Sequence, residues 1–236
     1  MNADTQRKIA ALQETVGLSR PPVGLAFVSE PPAGIPEPSE GVPSACSLWV
    51  MGRDQVVYAP VSTHLNCPIG MMTMGFQVPD DRMEEAKTIV DTMCELEYIS
   101  PEEAASLPSV PGNHSGVVYG PLANLPAVPD VIIFSTRPGQ AMLLAESSGC
   151  VDWTDQGMSA FGRPTCAVVP TAIEMGKAAM SVGCIGFRVY TGTPDEELIV
   201  AVPKAGLQNV LDGIDTTVNA NAALEKFHTN RRATVV

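Results

Sequence analysis

Positive charge is scarce in this sequence: 14 Lys and Arg against 26 Asp and Glu leave a formal net charge of −12. Such a surface repels phosphate backbones and anionic headgroups, so nucleic acid and anionic membranes are disfavoured as partners. Charged residues make up only 17% and aromatics 5%, while 45% of residues are hydrophobic. With 236 residues, that composition describes a globular chain able to bury a core. No apolar run reaches the roughly 18 residues that a membrane-spanning helix needs. The polar start, Met1 to Arg7, lacks the apolar centre of a secretory signal. The expected location is therefore the cytoplasm.

Familiar motifs are missing too. There is no C-x-x-C pair, the usual mark of thioredoxin-type and ribbon-type zinc sites, and no C-x-x-C-H for covalent haem. The ferredoxin cysteine runs are absent. So are the P-loop, G-x-G-x-x-G and G-x-S-x-G.

What is present is sulfur. There are 6 cysteines and 11 methionines, against 6 phenylalanines. In a reducing compartment the cysteines read as thiols or ligands before disulfides. Methionine either fills an adaptable core or lines a soft pocket for a metal or flat cofactor.

The pattern along the chain alternates between strand and helix. Ile9, Leu12 and Val16 form one stripe of a first helix that Gly17 ends. Val23 to Val28 reads as a strand, and the Pro-, Gly- and Ser-rich stretch 29 to 45 as a surface loop. Val56 to Tyr58 mark another strand. Asp80 to about Tyr98 is a helix striped by Met83, Ala86, Val90 and Met93. Ser100-Pro101-Glu102-Glu103 is a capping box. Gly116 to Tyr119 and the continuously apolar Val131 to Ser135 are strands. The turn Arg137 to Gln140 leads from the second into a helix at Ala141. Thr165 to Ala179 is expected to be helical, and 187 to 191 to pair with 197 to 202 as a hairpin. Leu207 to Ile214 and a polar segment from about Thr216 to Arg231 are read as two closing helices. The expectation is one α/β domain over residues 1–236, a mixed sheet with flanking helices.

The candidate site centres on Cys67. Pro68 suits the first position of a helix, which puts Cys67 at its N-cap, where a thiolate is favoured. Met71 and Met74 then share its face, and His64 stands three residues before it. Gly70 lies within the Cys67-Pro-Ile-Gly frame. Gly183-Cys184-Ile185-Gly186 is a plainer copy, whose glycines allow positive φ or close approach. Arg188, expected at the start of a strand, is a candidate anion fork or a surface ion-pair partner. Cys46 to Cys67 and Cys166 to Cys184 form a weak repeat, about 20–100 and 130–215. A pseudo-two-fold pair of α/β units would bring Cys46, Cys67, Cys166 and Cys184 to one cleft. Cys94 reads as structural and Cys150 as a loop thiol. His114 and His228 have no paired spacing.

Five places resemble one known family, the bacterial and archaeal domain of unknown function 169. They are Pro22-Val-Gly-Leu-Ala-Phe27, isolated Cys46, Cys67-Pro-x-Gly with Met74-Gly75, Pro138-Gly-Gln-Ala-Met142, and Gly183-Cys-x-Gly-x-Arg188 leading to the strand from Glu197. The resemblance implies a single α/β domain marked by its cysteine motifs, and little about function. Met71-Met72-Thr73-Met74 departs from the Ala and aromatic or aliphatic residues of relatives.

Three functional readings stand side by side. One is a redox or electron-transfer protein holding iron. The iron is either a cluster ligated by Cys46, Cys67, Cys166 and Cys184, or non-covalent haem with His64, Met71, Met74 or a cysteine as axial ligand. In that reading His64, Cys67, Gly70, Met71, Met74, Gly183, Gly186 and Arg188 line the cofactor. The second is a metal-free thiol enzyme with Cys67 as nucleophile, His64 as base and Arg188 anchoring an anionic substrate. The third is a binding module whose cysteines are core residues. A homo-oligomer and a redox partner protein are expected alongside the first.

Overall fold

The computed structural model describes residues 3–149 and 158–234. Cys150 lies outside them. Nine helices and seven strands, counted among the described residues, run α1 (Ala3–Val16), β1 (Val23–Val28), α2 (Ser47–Met51), β2 (Val57–Pro60), α3 (Pro68–Thr73), α4 (Asp80–Glu95), α5 (Pro101–Ala105), β3 (Gly116–Pro121), β4 (Val131–Thr136), α6 (Pro138–Ser147), β5 (Ser159–Phe161), α7 (Val168–Met175), β6 (Ala179–Ser181), α8 (Ile185–Thr191), β7 (Leu198–Pro203) and α9 (Lys204–Thr234). The strands form one mixed sheet in the order β2-β3-β1-β4-β7-β6-β5. Every neighbouring pair is antiparallel except β5 and β6.

The central strands are apolar on both faces because both faces are covered. On β4, Val131 and Ile133 point to one side, with Val23, Leu25 and Tyr119. That layer is closed by Leu48 and Trp49 of α2, Met71 of α3, Val168 and Ala172 of α7 and Phe187 of α8. Ile132 and Phe134 point to the other side, against Ile9 and Leu12 of α1, Leu144 of α6 and Val210 and Ile214 of α9. Period-two alternation thus splits the apolar run between two cores. The cysteine-bearing helices all lie on the first face.

Local signals hold where the chain carries them. Ser100 caps α5 by accepting from the Glu103 N–H. Pro138 opens α6, and Gln140 accepts the Arg137 N–H at 2.8 Å. Pro170 falls in the first turn of α7, where its missing N–H costs nothing.

Other expectations are corrected. Residues 187–191 are helical, so the expected hairpin does not form. Cys184 accepts the Phe187 N–H through its sulfur, and Gly192 ends the helix in the left-handed region. The place beside β7 is taken instead by β6, a three-residue strand too short to show alternation. The expected 165–179 helix stops at Met175, with Gly176 at φ +61°. The two closing helices are one continuous helix, α9.

Strand, cysteine-led helix, strand, cysteine-led helix occurs twice, as β1-α2-β2-α3 and as β5-α7-β6-α8. The copies differ in the sheet. β5 and β6 are adjacent and parallel, whereas β3 lies between β1 and β2. No helix among the described residues is long and apolar enough to cross a membrane.

Candidate functional site

Each candidate cysteine stands where a helix begins. Cys46 precedes α2, Cys67 is the N-cap of α3 with Pro68 behind it, and Cys184 is the N-cap of α8. Cys166 lies in the 3-10 turn Thr165–Ala167 that leads into α7. A side chain at a helix start points away from the helix body, so these four backbones present thiols outward from four separate elements. All five described cysteines, Cys94 among them, are free thiols. Cys46 and Cys166 are buried, while Cys67 and Cys184 are half-buried.

Burial governs the two inner thiols. Burial pushes the Cys46 thiol up to about 12; the Ser44 hydroxyl opposes the rise, and Cys67 and Cys184 add to it. Burial likewise raises the Cys166 thiol far above its ordinary value, the Thr73 hydroxyl opposes, and Cys67, Cys46 and Cys184 add further.

Hydroxyls and backbone amides hold this group in place. Ser44 Oγ lies 3.1 Å from Cys46 Sγ. Thr73, fully buried on α3, donates its hydroxyl to Gly70 O at 2.9 Å. Thr165 Oγ1 accepts from the Cys184 N–H at 2.7 Å, and Cys184 Sγ accepts from the Phe187 N–H at 3.4 Å. Gly70 is where the Cys46 and Cys67 segments touch. A Cβ there would stand 2.6 Å from Ala45 Cβ and 2.8 Å from Cys67 Sγ. Gly183 needs its freedom, at φ +87° with the Arg188 guanidinium 3.2 Å from a Cβ position. Gly186 would accommodate a Cβ in ordinary contact with Tyr190.

Trp49, one turn beyond Cys46, and Phe187, one turn beyond Cys184, pack at a ring distance of 6.1 Å and give the group an apolar floor. The indole N–H of Trp49 is buried with no hydrogen-bond partner. Among the described residues, no three His, Cys, Asp or Glu side chains could hold a metal ion as they stand. Thiolates around one zinc sit about 4 Å apart, given a metal–sulfur bond of about 2.3 Å. A cluster of several irons spreads its ligands wider. The donor set is entirely sulfur, which suits such a cluster.

His64 is brought close but turned away. It is buried, its Nδ1–H donates to Pro60 O at 3.0 Å, and its Nε2 accepts from the Tyr119 hydroxyl at 3.1 Å. Burial pulls its pKa down to about 4. Both nitrogens are committed, which leaves neither an axial lone pair nor a base for Cys67. Met71 and Met74 are fully buried in the core. Met74 is the C-cap of α3, and its N–H still donates to Gly70 O at 3.0 Å. Arg188 lies in helix α8, not at a strand start, and spends its guanidinium on carbonyls. It donates to Pro194 O at 2.5 Å, Val182 O at 2.6 Å and Glu197 O at 3.1 Å. Asp195 adds an ion pair at 3.7 Å.

Sequence reasoning missed Thr73, Thr165, Tyr119 and Ser44. Only Thr165, beside Cys166, carried any signal, and that was adjacency alone.

Residues 11–213 match the family model described as DUF169, uncharacterised ArCR. Over 184 residues the chain is 30% identical to an uncharacterised protein of Methanocaldococcus jannaschii, covering 72% of this chain and 75% of that protein. No solved structure matches.

Proposed function

The chain belongs to the domain of unknown function 169 family, and we propose that it is a redox or electron-transfer protein whose Cys46, Cys67, Cys166 and Cys184 hold an iron–sulfur cluster. The observation behind this reading is that Cys46 and Cys166 lie in one core layer with Cys184 packed against it, while Gly70 brings the Cys67 sulfur beside Ala45, the neighbour of Cys46. A bound cluster supplies one-electron chemistry at a potential set by burial and by hydrogen bonds to sulfur. Ser44, Thr73 and the Phe187 N–H are the groups that would orient and tune the ligands. Trp49 and Phe187 pack beside Cys46 and Cys184 and would limit water there, and the buried Trp49 N–H has no partner of its own. Cluster is favoured over haem because His64 is committed at both nitrogens and Met71 and Met74 are packed in the core. A redox partner would approach beside Cys184, where Val182 and Ile185 are exposed.

The test is anaerobic purification from iron-replete cells, followed by iron and acid-labile sulfide analysis and a visible spectrum. Brown protein with both elements, bleached in the single Cys→Ser variants at positions 46, 67, 166 and 184, is expected. Colourless protein without iron, or iron carried as extractable haem, overturns the reading.

A further inference from the structure

Behind the thiol group lies a cavity of about 320 Å³ that the cysteine motifs do not explain. Ile69, Val90, Met93, Leu107 and Phe161 give it apolar walls, and Arg163 and Glu103 are its charged groups. Its volume is at the lower end of the range of small-molecule sites. It adjoins the thiols through the backbone, since Ile69 stands two residues after Cys67, and Ala167, also lining it, follows Cys166.

Arg163 is the unusual group. Its guanidinium stacks over the Tyr98 ring at 4.0 Å and donates through Nη2 to Tyr98 O. Nη2 also meets Glu103 at 3.4 Å, a loose contact to a carboxylate that is half exposed. Its Nε is buried and has no hydrogen-bond partner. A buried N–H left without an acceptor costs more than a made hydrogen bond returns. The opening for a ligand is on the Nη2 side, where a cation at an apolar cavity is held only loosely by half-exposed Glu103. A ligand that carries negative charge can take the place of that carboxylate, and a planar carboxylate matches the guanidinium fork.

We propose that this cavity binds a small amphipathic monocarboxylate, with its hydrocarbon body against Val90, Met93, Leu107 and Phe161 and its carboxylate on Arg163 in place of Glu103. The occupant is a molecule with an apolar chain or ring and one acid group. Glu103 is then a competitor within the site, holding Arg163 until the ligand arrives. This inference does not depend on iron. Binding can be measured whether or not the thiols hold a cluster, so either reading can fail without the other.

Isothermal titration of the whole protein with octanoate, octanol and octylamine tests the idea. Octanoate should bind, with the alcohol and the amine at least about tenfold weaker. Arg163→Gln should weaken octanoate by about tenfold or more. Glu103→Gln should tighten it about threefold by removing the competitor. Thr171→Phe, which fills the cavity from α7, should abolish binding in protein that still unfolds cooperatively on heating. Octanol binding as well as octanoate, no octanoate binding, unchanged binding in the Thr171→Phe protein, or weakening by Glu103→Gln would each overturn the proposal.

Discussion

Thr165 accepts the Cys184 backbone N–H through its buried hydroxyl at 2.7 Å, tying the residue beside Cys166 to the cap of the next cysteine-led helix. One hydrogen bond thereby sets the spacing of two of the four thiols. Thr165→Val keeps the shape and removes the acceptor, leaving a buried N–H unpaired at a cost of about 1–3 kcal/mol. Urea denaturation should show that loss. Iron content per chain should fall with it, whereas Thr165→Ser should restore both.

Gly70 makes a second geometric prediction. A methyl group there overlaps Ala45 and the Cys67 sulfur. Gly70→Ala should destabilise the protein by about 1–3 kcal/mol, the usual range for overpacking. Because the displaced atoms belong to two cysteine segments, the variant should also lose the colour and iron of the proposed cluster. A variant with full colour and unchanged midpoint would show that these segments do not need to touch.

Arg188 is predicted to be a staple. It bonds the carbonyls of Val182, Pro194 and Glu197, and so ties α8 to the segment before β7. Arg188→Met leaves those carbonyls without their donor and should cost about 2–3 kcal/mol in chemical denaturation. An anion-anchoring role would instead leave stability unchanged and remove anion binding.

The pH dependence of metal-free protein follows from three buried groups. His64 titrates near 4 when folded, against an ordinary 6.5. Its depressed value means the unfolded chain takes up the proton first. Stability is therefore complete above pH 6.5 and falls by roughly 3 kcal/mol as pH drops towards 4. Cys46, at about 12, and Cys166 have raised values, so above pH 9 the unfolded chain loses protons that the folded one keeps. Stability then falls with rising pH, by up to about 1.4 kcal/mol per pH unit for each thiol. Urea midpoints across pH 4 to 11 check both limbs. His64→Asn should flatten the acid limb, and Cys46→Ala the alkaline one.

Much of the fold was legible because its signals are short. Val131 to Ser135 advertises a strand covered on both sides, and Asp80-Asp81 with Met83, Ala86 and Val90 a helix. Ser100 and Pro138 announce helix starts by chemistry that acts within one turn. The same locality misled at 187–191. An apolar stretch before Gly192 looks like a strand, yet the Cys184 cap made it a helix. β5 and β6, three residues each, have no periodicity to read and exist because β7 offers an edge.

The site divides in the same way. The sequence by itself determined that Cys67 stands at a helix start, since Pro68 acts on its neighbour, but it did not reveal the helix that Cys184 caps. It also determined a chain rich in sulfur and poor in positive charge. Only the tertiary structure decided that Cys46, Cys166 and Cys184 share one packed face of the sheet. That placement depends on sheet order, which brings segments more than a hundred residues from Cys46 to the same face. Tertiary structure also turned His64 towards Tyr119, 55 residues away, and spent Arg188 on carbonyls. A side chain's type limits which bonds it can make. Which bond it does make depends on the groups that folding brings within about 3 Å of it.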